Sequence, residues 1–144
     1  MDIDKLDKVA LLARSKESAA ATALHREQQS LQSSNDRLQQ LESFKSEYET
    51  RLNAISKSGM DARQLADYRR FLAGINDAIQ LQGQEVARGE ERVQAGRDAF
   101  VDKSLRRGNV DELIGRSRAA LAVDEARKEQ RLTDESSLVR YSRE

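Results

Sequence analysis

Apolar residues recur every three or four positions along most of this chain, and the recurrence breaks once, at Ser58-Gly59 within NAISKSGMDARQL. A seven-residue frame makes the pattern explicit. With a at Ile3, Ala10, Glu17, Leu24, Leu31, Leu38, Lys45 and Leu52, position d falls on Leu6, Ala13, Ala20, Glu27, Ser34, Leu41, Tyr48 and Ile55. Twelve of these sixteen positions are apolar, where a 38% hydrophobic chain would give about six by chance. That is a coiled-coil stripe.

A second stripe begins after the break. Its a positions are Leu65, Leu72, Ile79, Val86, Val93 and Phe100, all apolar. Its d positions, Tyr68, Ile75, Gln82, Gly89, Gly96 and Lys103, lose apolar character along the arm. Gly89 and Gly96 each cost about 1 kcal/mol of helix propensity; they are either close-approach points for another backbone or soft spots. The frame continues weakly through Ile114 and Leu121, with Val110 and Leu138 at d. RRGNVDEL (106–113) is a candidate kink, with Asn109 as the N-cap of a restarted helix.

Gly59 can take the left-handed conformation that ends a helix, and Asp61 can cap the next one. A short connection between two heptad arms makes them antiparallel neighbours. The expected fold is all-α: one antiparallel two-helix coiled-coil hairpin over 1–144, with helix 1 at about 3–57, a turn at about 58–61 and a longer helix 2 at about 62–138. Arm one would measure about 80 Å, and arm two would exceed it by about 35 Å. Folding at 59 brings Ile3 near position 115, leaving about 116–144 as an overhang without a partner in the chain.

Composition agrees. Charged residues make up 35% and aromatics 4%, with no Trp, too few large apolar side chains for a compact two-layer core. Disorder is the rival reading, and the periodicity argues against it. The absence of proline leaves long helices unobstructed. The absence of cysteine excludes disulfides, thiolate metal sites and cysteine catalysis. Twenty-five basic residues balance twenty-five acidic ones, interspersed as on solvated helix faces, which does not suit a nucleic-acid binder. MDIDKLDKVALLARSK lacks the apolar core of a signal peptide, and no stretch reaches the roughly 18 apolar residues of a membrane span. A cytoplasmic location is expected.

Catalytic constellations are not evident. His25, the single histidine, has no second ligand at metal spacing and reads as helix surface. There is no phosphate-binding glycine loop, and two helices cannot enclose a carboxylate pair and shift its pKa. No enzymatic activity, cofactor, metal, small-molecule substrate or nucleic acid is expected.

The aromatic residues carry more. Tyr48 and Tyr68 occupy d; Phe44 and Phe71 occupy g, on the flank of the seam. In a hairpin folded at 59 all four gather at one level. They either thicken the seam or form an exposed apolar patch of the kind that marks a binding site. Arg63, Arg69 and Arg70 near the tip, and Arg106 and Arg107, are either helix surface or docking residues for an acidic partner.

LESFKSEYETRLNAISKSGMDARQLADYRRFLAGINDAIQLQGQEV (41–86) resembles the flagellar export protein family FliJ. The resemblance rests on Phe44 and Tyr48, Leu-Asn at 52–53, Gly-Met at 59–60, Tyr-x-x-Phe-Leu at 68–72, Ala-Ile at 78–79 and Gln82. Val93, Arg97-x-x-Phe100 and EARKEQRLTDE (125–135) extend it; residues 1–40 agree in length and character. There are departures: Arg37 replaces a neutral polar residue seen in some members, Gln82 replaces a histidine, and Phe100 stands where tryptophan is frequent.

The resemblance implies a cytoplasmic component of the flagellar type III export apparatus, peripheral to the inner membrane through its partners. It implies a hairpin similar to the central stalk of rotary ATPases. Such a stalk inserts into the ring of the export ATPase FliI, promotes its assembly, and contacts the linker of the export gate subunit FlhA. Escort-type binding of other export proteins is also attributed to the family. Carried over by position, the gate-contact face falls on Arg37, Leu41, Phe44, Tyr48, Phe71, Ile75, Ala78 and Gln82. The expected ring contacts are basic residues of the overhang: Arg116, Arg118, Arg127, Lys128 and Arg131. The alternatives are a scaffolding coiled coil without an ATPase partner, expected to dimerise or tetramerise, and a chaperone dedicated to one cargo.

Overall fold

The computed structural model describes residues 2–143 and contains two helices, α1 (Ile3–Ser58) and α2 (Ala62–Arg143), packed against each other as an antiparallel hairpin. With 82 residues against 56, α2 is the longer. Among the described residues there is no strand.

Local chemistry sets the helix ends. The Asp2 carboxylate accepts from the Asp4 amide at 3.0 Å, and the Asp2 carbonyl accepts the first helical bond, from Leu6, at 3.1 Å. Asp2 is thus an N-cap that periodicity did not reveal, since a cap lies outside the stripe. At the turn Gly59 has φ of 100°, the one left-handed residue among those described. A side chain there would be strained, so glycine releases the chain from α1 at little cost. Asp61 restarts it: its carboxylate accepts from the Gln64 amide at 2.8 Å, and its carbonyl accepts from Leu65 at 3.1 Å.

Burial follows the heptad frame closely. In α1 the residues that are not exposed are the sixteen a and d residues from Ile3 to Ile55 and no others, including Glu17, Glu27, Ser34 and Lys45. In α2 every a and d position from Leu65 to Ser117 is likewise covered, together with a few flanking residues; from 118 to 143 every residue is exposed. The core is thin. Leu6, Ala10, Ile75, Val86, Val93 and Ile114 are its buried hydrophobic residues. Stability therefore comes from repeated half-buried layers rather than from a few deeply buried side chains.

The chain divides into two compact units. Unit 1 is Met1–Ala19 with Val101–Glu144. In it Leu6, Ala10 and Ile114 form a cluster, with Val110 packed against them. Unit 2 is Ala20–Phe100. There Gly89 lies opposite Leu31 and Gly96 opposite Leu24. A Cβ on Gly89 would sit 3.1 Å from Leu31 Cδ1, and one on Gly96 would sit 3.3 Å from Leu24 Cδ1 and 3.5 Å from its Cα. Both glycines are close-approach points, not soft spots.

Two sequence expectations change. The helix restart expected at 106–113 does not occur, and Asn109 caps nothing: α2 runs as one helix through it, with Arg107, Val110 and Ile114 covered in the seam on either side. Arg107 is not free surface either. It occupies the seam.

Candidate functional site: an aromatic flank and a polar-pinned seam

The polar residues of the seam have partners. In unit 1 Arg107 Nε donates to both oxygens of Glu17, at 3.3 and 3.2 Å, and its Nη1 donates to Asp111 at 3.3 Å; Arg14 reaches the other Asp111 oxygen at 3.4 Å. In unit 2 Arg92 joins Glu27, at 3.2 Å, to Glu85, at 3.1 Å. The amide of Gln82 donates to the Ser34 carbonyl at 2.9 Å. Lys45 turns along its own helix toward Glu49, at 3.9 Å. Bonds to Glu17 and then Asp111 raise the Arg107 pKa, and the bond to Glu85, with the further charge of Glu27, raises that of Arg92. Both guanidiniums are thus held charged. No buried side-chain polar atom among the described residues lacks a partner.

Four aromatic rings gather in unit 2. Tyr48 lies between Phe71, with centroids at 4.5 Å, and Tyr68, at 5.3 Å; Phe44 meets Phe71 edge-on at 6.2 Å and Tyr48 at 6.3 Å. These are favourable ring separations. Burial, and secondarily the nearby Tyr68 phenol, raises the Tyr48 pKa above 10.0. The two d-position tyrosines enter the seam, while the two g-position phenylalanines remain 44% and 45% exposed. Two helices cannot cover both flanks of their own seam, so a large side chain at g stays half in water.

Phe44 and Phe71 wall an open apolar groove floored by Leu41, Gly74, Ile75 and Ala78 and edged by Asp67 and Arg70. Beside it Arg37, Gln40, Leu41, Phe44 and Gln82 line a second groove. The expected gate-contact residues are therefore neighbours in the fold but not equivalent. Arg37, Phe44 and Phe71 project. Leu41, Ala78 and Gln82 are half-covered, Ile75 is buried at 7% exposure, and Tyr48 supports Phe71 from within. Sequence alone did not reveal Gly74, which lines the groove and has open space where a side chain would stand.

The basic residues expected to contact a ring divide as well. Arg118 is paired with Asp7 at 3.0 Å and Arg116 with Glu112 at 2.6 Å. Arg127, Lys128 and Arg131 are exposed and make no ion pair among the described residues. No cluster of metal-ligating side chains occurs among the described residues, and no helix is long and apolar enough to cross a membrane.

An antiparallel coiled coil with its polar seam paired and an aromatic groove left open is the class of protein that the geometry defines. The chain belongs to the FliJ family: a family model described as "Flagellar FliJ protein" matches residues 1–144. It is a component of the flagellar protein export apparatus. No curated protein sequence matches it.

Proposed function

We propose that the protein is a non-enzymatic stalk of the export apparatus, acting in the cytoplasm at the inner membrane, that promotes assembly and activity of the export ATPase ring and links that ring to the export gate. The observation that carries this reading is the Phe44–Phe71 groove in a chain of this family. Aromatic side chains half in water are strong anchors when a partner covers them. In this reading the groove takes an apolar segment of the gate subunit FlhA, with Arg37 and Gln82 at its edge. The segment 118–143, helical and exposed throughout, enters the FliI ring through Arg127, Lys128 and Arg131, with Arg116 and Arg118 nearer the seam. Contacts by such exposed charges are weak and salt-sensitive, which suits reversible docking.

The test is ATP hydrolysis by the cognate FliI with increasing amounts of this chain. Stimulation saturating near one chain per ring is the expected result. Phe44→Ala with Phe71→Ala should abolish binding to the FlhA linker and leave that stimulation intact. Equal loss of both activities at normal helicity would overturn the division of roles. No effect on hydrolysis with gate binding retained would make the protein a gate adaptor or an escort of other export proteins. A dimer or tetramer in sedimentation, with neither partner bound, would make it a scaffold.

A further inference from the structure

Unit 1 treats its two flanks differently. In an antiparallel pair the e residues of one helix face the e residues of the other, and g faces g. On the e flank Arg14 meets Asp111 at 3.4 Å and Arg118 meets Asp7 at 3.0 Å, so the groove there, which also includes Ala10, Leu11 and Ile114, is spanned by opposite charges already paired. The g flank has no such cross-helix pairs among the described residues. There Val9 and Lys16 of α1 stand across from Arg106 and Leu113 of α2, and Leu113 is 41% exposed. The gap is a furrow between the helices. Half-buried Ala13 and Val110 form its floor, and Val9 and Leu12, 48% and 55% exposed, form its wall. Lys16, Lys103 and Arg106 rim it. Asp102 serves both Lys103, at 3.8 Å, and Arg106, at 3.5 Å, so one carboxylate faces two cations. Lys16 makes no ion pair among the described residues. The rim carries surplus positive charge around an apolar channel.

We propose that this furrow docks an acidic amphipathic helix of a partner protein. The helix lies along α1 and α2 as a third strand, with its apolar stripe on Val9, Leu12 and Val110 and its Glu or Asp residues against Lys16, Lys103 and Arg106. A helix suits the furrow because it satisfies its own backbone groups, whereas an extended peptide would leave amides and carbonyls against apolar walls. An anionic bilayer would meet Leu12 but not Ala13 and Val110, which are recessed between the two helices. Charge selects among helices: an acidic flank gains at the rim and a basic one is repelled. The assignment is independent of the ring and gate contacts proposed above.

Fluorescence anisotropy tests it. The full chain is titrated into a labelled synthetic three-heptad peptide with Leu at a and d and Glu at e and g, and into a companion with Lys in place of Glu. The Glu peptide should bind and the Lys peptide should not. Lys16→Glu with Arg106→Glu should weaken binding by about tenfold or more, and Leu12→Glu should do the same. Leu11→Glu is the control. Leu11 is more exposed, at 71%, but lies on the ion-paired flank beside Arg14 and Arg118, so its substitution should change affinity by less than about twofold. Circular dichroism establishes that each variant is folded. Failure of the Glu peptide to bind, equal binding of the Lys peptide, or equal sensitivity to Leu11→Glu and Leu12→Glu would overturn the proposal. So would co-sedimentation with phosphatidylglycerol vesicles that Leu12→Glu abolishes, which would assign the furrow to a lipid surface.

Discussion

Asp61 and Tyr48 show how much one side chain decides here. Asp61 meets the first turn of α2 through its carboxylate and its carbonyl. Asp61→Ala should cost about 1 kcal/mol of stability, read as a lower urea midpoint with unchanged slope. Tyr48 responds to pH. Its pKa is raised above 10.0, chiefly by burial, so the folded state holds the phenol proton more tightly than the unfolded chain does. Its contribution to stability is therefore complete below pH 10 and is lost as pH rises through the folded-state pKa. In a Tyr68→Phe, Tyr141→Phe background, phenolate absorbance should titrate above the free-tyrosine midpoint, and unfolding with urea should remove the difference. Both side chains were singled out in the sequence, Asp61 by turn chemistry and Tyr48 by its heptad position. The Asp2 cap was not, because no break in the stripe precedes it.

Along the two helices, the frame predicts burial even where the residue type opposes it. Glu17 and Arg107 are both a residues, and neither looks like core by composition. Their mutual bonds let each sit in the seam with its charge satisfied. Arg107→Leu leaves the Glu17 carboxylate without its cross-helix partner and should lower the denaturation midpoint. Glu17→Leu combined with Arg107→Leu should restore the midpoint to at least the parental value, because an apolar pair needs no matched charge. If the double variant also self-associates or loses a single sharp transition, the pair's role is to set the register of unit 1. Gly89 and Gly96 act in unit 2 by shape: each gives its space to a leucine of α1. The sequence shows these glycines as interruptions of the d stripe. Only the opposing leucines show that they are part of the packing.

For the whole molecule, the hairpin and the exposed segment that follows it separate in their consequences. Residues 119–143 are exposed throughout and make no cross-helix ion pair among the described residues. Removing everything after Arg118, which keeps its pair with Asp7, should leave the thermal midpoint of the hairpin unchanged, as followed by circular dichroism, and, on the proposed stalk reading, should abolish stimulation of the FliI ATPase. A lower midpoint would mean that this segment packs somewhere after all. Retained stimulation would move the ring contact onto the hairpin itself.

The sequence alone determined that this chain is two antiparallel heptad arms joined at Gly59, because helix periodicity, turn conformation and capping are local properties written within a few residues of one another. It also brought the four aromatic residues to one level, since that follows from the place of the turn. Tertiary structure alone decided which polar residues meet across the seam, that Arg107 takes Glu17 and Asp111 as its partners there, and that α2 runs unbroken through Gly108 and Asn109. It likewise decided which flank of unit 1 is spanned by cross-helix ion pairs and which is not. The partners in those contacts lie far apart in the chain, 48 residues for Ser34 and Gln82 and 111 for Asp7 and Arg118. A shift of one helix past the other would re-pair every one of them without altering either stripe.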